Sequence, residues 1–158
     1  MKRRLLPLLA AAAVLGACAT APAPAPITDT AARAPQLGTL ARLIREAGLA
    51  DTLRASGPFT VFAPSDDAFK AVPAATMQEL ARNPQRLKDL LAFHVLRGRM
   101  ASGEISNGNA KTLHGGNVAL SRAGAFVTVE DALVTQADLP ASNGVVHVID
   151  RVLLPPKR

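Results

Sequence analysis

The sequence predicts an α+β protein in which helices crowd the first half of the folded part and strands the second. Two observations carry this. Apolar residues recur at helical spacing up to about residue 94, as in Leu40, Leu43, Ile44 and Ala47, which fall at i, i+3, i+4 and i+7. After Val95 the pattern becomes short apolar stretches broken by Gly, Asn and Asp, the signature of strands and hairpins. At 158 residues the chain has room for one domain and some tail.

Taken in order, Met1 to Arg4 is a positive n-region, residues 5–14 are apolar, and Leu15-Gly16-Ala17 precedes Cys18, the only cysteine. The apolar run is too short to span a bilayer and reads as an export signal over residues 1–17. Its end resembles the bacterial lipobox. That resemblance implies acylation of Cys18, an anchor stable enough to hold the chain on a membrane, and, with Ala19 rather than Asp next, transfer to the outer membrane. Residues 19–26 read ATAPAPAP, which forms neither helix nor sheet and makes a semi-extended tether. The weakly patterned stretch to residue 35 continues it, so a lipid-anchored linker is expected over 18–35 and one folded domain over 36–156. With the only thiol committed to the anchor, that domain rests on its apolar core alone.

The first helix of the domain carries the Leu40, Leu43, Ile44 and Ala47 stripe, with Arg42, Arg45 and Glu46 outside and Gly48 as its stop. A short helix over 50–54 follows. Gly57-Pro58 then turns the chain into a strand over 59–63. Ser65 is an N-cap, and Asp66 and Asp67 occupy the first helical turn, where carboxylates meet the positive end of the dipole. Phe69 lands on the inner face and Pro73 ends the helix. Thr76-Met77-Gln78-Glu79 is a capping-box pattern, and Asn83-Pro84 opens a helix in which Leu87, Leu90, Leu91 and His94 share a face. Strands are expected at 111–113, 118–121, 126–130, 133–136, 145–150 and 152–154. The turns between them are 114–117, 122–125 and Asn143-Gly144, the last supplying positive φ.

Charge excludes little. The formal net charge is +6, but Lys2, Arg3 and Arg4 lie in the signal, which leaves 15 basic against 12 acidic residues, or +3. The basic residues are scattered and there is no Trp or Tyr on which bases could stack, so nucleic acid is not an expected partner. Nucleophilic catalysis lacks a Ser elbow of the G-x-S-x-G type. His94, His114 and His147 lack the close His partners of a zinc motif, and Asp66 and Asp67 do not form a calcium loop. No phosphate or dinucleotide loop occurs. The residues therefore predict no enzyme, no metal and no cofactor. Histidines 94 and 147 are expected to be hydrogen-bonded core residues and His114 a solvated turn residue.

Three segments carry a family resemblance. Thr60-Val61-Phe62-Ala63-Pro64-Ser65-Asp66-Asp67-Ala68-Phe69 resembles the first motif of the fasciclin domain, and Asn143-Gly144-Val145-Val146-His147-Val148-Ile149-Asp150 its second. Leu90-Leu91-Ala92-Phe93-His94-Val95-Leu96 is similar to the central Tyr-His segment, with Phe93 in place of tyrosine. The resemblance implies helices packed on a two-sheet β-wedge, with Phe62 and Phe69 in the core and structural roles for the remaining motif positions. It also implies a non-enzymatic module for adhesion, whose partners are proteins or polysaccharides of the envelope or extracellular matrix. Animal members carry an Asp-Ile pair before the second motif, linked to integrin binding; Asp138-Leu139 is a partial match and a candidate interaction site. Two other functions stay open at this point. An apolar cavity would favour a carrier or sensor of a small ligand, and a close cluster of histidine, acid and nucleophile would favour a hydrolase.

Overall fold

A computed structural model describes residues 24–156. Three helices lead: α1 (Ile27–Arg33), α2 (Gly38–Glu46) and α3 (Ala50–Arg54). Strand β1 (Phe59–Pro64) precedes α4 (Asp66–Lys70), α5 (Ala74–Arg82) and α6 (Pro84–Phe93). Then follow β2 (Val95–Arg97), β3 (Gly108–Lys111), β4 (Asn117–Ala123), β5 (Phe126–Val129), β6 (Ala132–Ala141) and β7 (Gly144–Ile149).

The seven strands line up as β2-β1-β7-β6-β5-β4-β3. Only β1 and β7 are parallel, and every other neighbouring pair is antiparallel. Strand β6 is long and slips register twice, between Val134 and Gln136 and again before Leu139. Such irregularities bend a strand and raise its twist. Here they let β6 pair with β7 at one end and β5 at the other, folding the sheet into a wedge whose outer strands meet again at a Leu96–Thr112 bridge.

The wedge makes two cores. Alternation along β1 and β7 sends Val61, Ala63, Val146 and Val148 toward the helices, where they meet Leu40, Leu43, Ile44, Leu87, Leu90 and Leu91. The intervening Phe62 and Ile149 point into the wedge against Phe93, Leu96, Val118, Leu120, Val127 and Val129. A continuous apolar run is what a strand buried on both faces requires, and β7 is buried along its whole length.

Several boundaries differ from expectation. The linker does not extend to residue 35. Ile27–Arg33 is a helix whose Ile27 and Ala31 are buried against the helix-side core, and Ser142 N donates to Ala25 O at 2.9 Å. Two contact residues in seven show no period, and the bonds that Asn143 and Ser142 make to this segment come from more than a hundred residues away. Helix α5 starts at Ala74 after Pro73, with no side-chain cap, so the Thr76 capping box does not form: Thr76 is already inside the helix. Residues 152–154 are not a strand, β2 was not expected, and β3 lies earlier than 111–113. The expected bounds of α3 and the caps at Ser65 and Asn83 match, the cap oxygens accepting from Ala68 N and Arg86 N.

Candidate functional site

The motif residues converge where β1 and β7 run side by side, with Phe62 opposite His147 and Pro64 opposite Ile149. Both rings are fully buried, and they stack with centroids 5.6 Å apart at 27°. The polar atoms of His147 are both used. Its Nδ1 accepts from Asp138 N at 3.1 Å, which leaves the proton on Nε2, donated to Met100 O at 2.8 Å. Thr60 works beside it: its hydroxyl donates to Gly98 O at 2.7 Å and accepts from Met100 N at 2.9 Å. Together the two side chains pin the loop that leaves β2.

His94 does the same at the other end of the wedge. Leu153 N donates to its Nε2 at 2.9 Å, so Nδ1 carries the proton and donates to Leu90 O at 2.8 Å. Burial away from water lowers its pKa to about 4, against a weaker opposing effect of the Leu90 bond. A neutral ring with both nitrogens bonded to backbone is a fastener between α6 and the C-terminal segment. Phe93, where the family motif carries tyrosine, is buried in the wedge core, and its ring meets His114 edge-on at 5.9 Å. His114 is not a solvated turn residue. It is half-buried, with Nδ1 shielded and unpartnered among the described residues, because Gly116 and Phe93 close over it.

The acids serve as caps at a distance. Asp66 Oδ1 accepts from Thr39 N at 2.7 Å, so it caps α2 while standing in the first turn of α4. That backbone bond, offset in part by desolvation, holds its carboxyl below the ordinary range. Asp67 pairs with Lys70 on the surface, and Phe69 is buried in the helix-side core. Asp150 accepts from Leu133 N at 2.7 Å, tying the end of β7 to β6.

Asn143 and Gly144 have tighter duties than a positive-φ turn, and neither has positive φ. Asn143 Oδ1 accepts from Ile27 N at 3.0 Å, and Nδ2 donates to Leu53 O at 2.6 Å and Ala55 O at 3.0 Å. Its own carbonyl accepts from Phe59 N at 3.0 Å. One side chain thus locks α1 and α3 to the β6–β7 turn. A Cβ on Gly144 would sit 2.0 Å from Phe59 O, so the approach of β1 to β7 requires glycine.

Asp138 sits in the second irregularity of β6 with φ +59°. Its carboxylate is exposed but occupied, accepting from Ser102 N at 2.8 Å and from the Ser102 hydroxyl. Desolvation is outweighed chiefly by these two bonds to Ser102, and the group is held below the ordinary carboxylate range. Leu139 packs against the helix-side core. Ser102, Asp138 and His147 are neighbours, yet they form no relay: the serine donates to the acid, and the histidine has no free nitrogen to take a proton. Ser102, Met100 and Leu153 were invisible to sequence reading, since two of them act through backbone atoms and all are placed by tertiary structure. Among the described residues no three His, Cys, Asp or Glu side chains gather to hold a metal ion. Open clefts of about 490 and 520 Å³ mark the surface; of the quoted motif segments, Phe93 lines the first and Leu96 the second.

A model of the Fasciclin domain matches residues 35–155. The chain belongs to the fasciclin domain family. It is 40% identical over 132 residues to Protein sll1483 of Synechocystis, covering 82% of this chain and 73% of that one. It is 40% identical over 118 residues to transforming growth factor-beta-induced protein ig-h3 of Sus scrofa, covering 74% of this chain but 17% of that much longer one. Cell surface glycolipoprotein MPB83 of Mycobacterium bovis is 33% identical over 136 residues, 83% of this chain and 61% of that protein. Among solved structures, a FAS1 domain pair from the insect cell adhesion molecule fasciclin I superposes with a TM-score of 0.63 at 25% identity, over 76% of this chain and 46% of that chain. The fasciclin fold is therefore the α+β wedge described above, and the quoted motifs are its β1–α4, α6–β2 and β7 segments. No helix among the described residues is long and apolar enough to cross a membrane. Cys18 and the export signal lie outside the described residues.

Proposed function

We propose that this fasciclin protein is a non-enzymatic adhesion module, exported by residues 1–17 and held on the outer membrane by acylated Cys18. In this reading the tether runs from Cys18 to about Pro26, and the domain from Ile27 contacts proteins or polysaccharides of the envelope or extracellular matrix. One observation carries it: the motif side chains that look chemically capable are spent inside the domain. His94 and His147 give both nitrogens to backbone, and Asp66, Asp150 and Asn143 bond to amides and carbonyls of distant segments. Recognition is left to the surface, where tethering raises local concentration and makes weak contacts effective.

The printed names of relatives support the same reading, one a cell surface glycolipoprotein and one a cell adhesion molecule. A hydrolase is disfavoured by the wiring of Ser102, Asp138 and His147. A small-ligand carrier is disfavoured by the packed side chains that fill both cores. The test compares surface attachment and cell cohesion in the source organism with the gene deleted, restored, or restored with Cys18→Ser. Deletion and Cys18→Ser are expected to lose attachment together. Equal attachment by the deleted and restored strains would overturn the proposal.

A further inference from the structure

The outer strands of the sheet touch at one point only. At the Leu96–Thr112 bridge, Leu113 N donates to Val95 O at 2.8 Å. Past it β2 stops at Arg97, because Gly98 takes φ +93° and the Thr60 hydroxyl holds Gly98 O and Met100 N on the β1 side. Strand β3 runs on without a partner on that side among the described residues, and a cleft of about 520 Å³ opens between them.

Register tells which backbone groups face the cleft. Thr112 N donates to Gly116 O at 2.8 Å, and antiparallel pairs alternate between bonded and non-bonded. Stepping back along β3 and β4 makes Ala110–Val118 and Gly108–Leu120 the bonded pairs. The N–H and C=O of Asn109 and Lys111 therefore point away from β4; the bridge to β2 takes the Lys111 carbonyl, and the Lys111 N–H with both groups of Asn109 is left, among the described residues, as an unpaired edge of the kind a further strand completes. The floor of the cleft is apolar, formed by Leu96, Met100, Ala110 and Leu113, and its charged lining residues are Arg97 and Lys111. Both cations are exposed and neither makes an ion pair among the described residues. The nearby acids are engaged elsewhere: Glu104, in the loop after β2, accepts from Ala101 N, and Asp138 of β6 is held by Ser102.

We propose that this cleft takes an extended acidic polypeptide segment, added as a strand on the free edge of β3 with its carboxylates on Arg97 and Lys111. Main-chain bonds supply affinity in this mode and alternate side chains supply specificity. The proposal rests on the adhesive reading above and names where a protein partner is gripped. A polysaccharide supplies charge but no alternating amide ladder, which is why the unpaired backbone edge favours peptide.

The experiment titrates the full chain with heptapeptides alternating valine with aspartate or glutamate, with their lysine counterparts, and with a polyuronate oligosaccharide. The acidic peptides are expected to bind and the lysine peptides not. Arg97→Glu with Lys111→Glu, two exposed changes outside both cores, should weaken binding at least about tenfold. N-methylating one alternate set of peptide amides should weaken binding at least about tenfold and the other set hardly at all. Binding of polyuronate alone, or equal effects of the two methylation sets, would overturn strand addition, as would no binding by any probe. If deletion abolishes cell attachment while the charge-reversed chain restores it fully, this cleft is rejected and the adhesive reading stands.

Discussion

Acid should loosen this domain through one side chain. His94 is fully buried and its pKa falls from 6.5 to about 4, so the unfolded chain binds the proton more readily than the folded one. Stability is therefore full above about pH 6.5 and falls as pH drops toward 4. Each pH unit inside that window costs about 1.4 kcal/mol, and going from pH 7.5 to 5 should remove about 2 kcal/mol after allowing for partial titration at the edge. That is a sizeable share of a domain's usual ~5–15 kcal/mol. The depressed carboxyls of Asp66 and Asp138 do not contribute there, since their losses begin only below their ordinary value of 3.8. Urea unfolding at the two pH values reads the loss as a midpoint shift of about 1 M for a domain of this size. The control is His94→Gln, which keeps an acceptor for Leu153 N but cannot be protonated. It should cost about 1–3 kcal/mol at pH 7.5 and lose about 2 kcal/mol less than wild type on acidification. Equal acid losses in the two proteins would refute the argument.

Three other outcomes follow from the geometry. Gly144→Ala should destabilise by about 3 kcal/mol or more, because its Cβ would meet backbone on β1 rather than a side chain that can move; thermal unfolding checks it, and a near-neutral result would contradict the close approach. Asn143→Ala removes three hydrogen bonds at the α1–α3–turn junction and should cost about 2–4 kcal/mol, with the amides of α1 exchanging hydrogen faster than those of β7. Asp66→Asn weakens a cap on α2 by about 1 kcal/mol at neutral pH. Since the folded pKa of Asp66 is depressed, its contribution is present above about 3.8 and lost below it, so the variant should show a shallower fall in urea midpoint below pH 4 than wild type.

Much of this fold was legible because local chemistry and tertiary use agree. The stripe of α2, the caps at Ser65 and Asn83, and the apolar run of β7 are each dictated within a few residues. Helix α1 was not legible, because Asn143 and the face of β7 make it a helix, and seven residues carry too little pattern. Asp66 shows the limit well. Its place in the first turn of α4 accounted for a carboxylate there, but the amide it bonds belongs to Thr39, and nothing local names that partner. The site behaved similarly: the motif residues came together at β1 and β7, while Met100, Ser102 and Leu153, which fix the histidine tautomers and the Asp138 carboxylate, carry no signal of their own. The cleft beside β3 depends on where β2 ends, which Thr60 decides from the neighbouring strand β1.

In the proposed reading the domain acts through its surface and holds no ligand between wedge and helices. Native mass spectrometry of the chain, purified gently from its own envelope, tests this most directly. The predicted result is the mass of the acylated polypeptide alone; a stoichiometric small molecule that survives purification would contradict the account and make the protein a carrier.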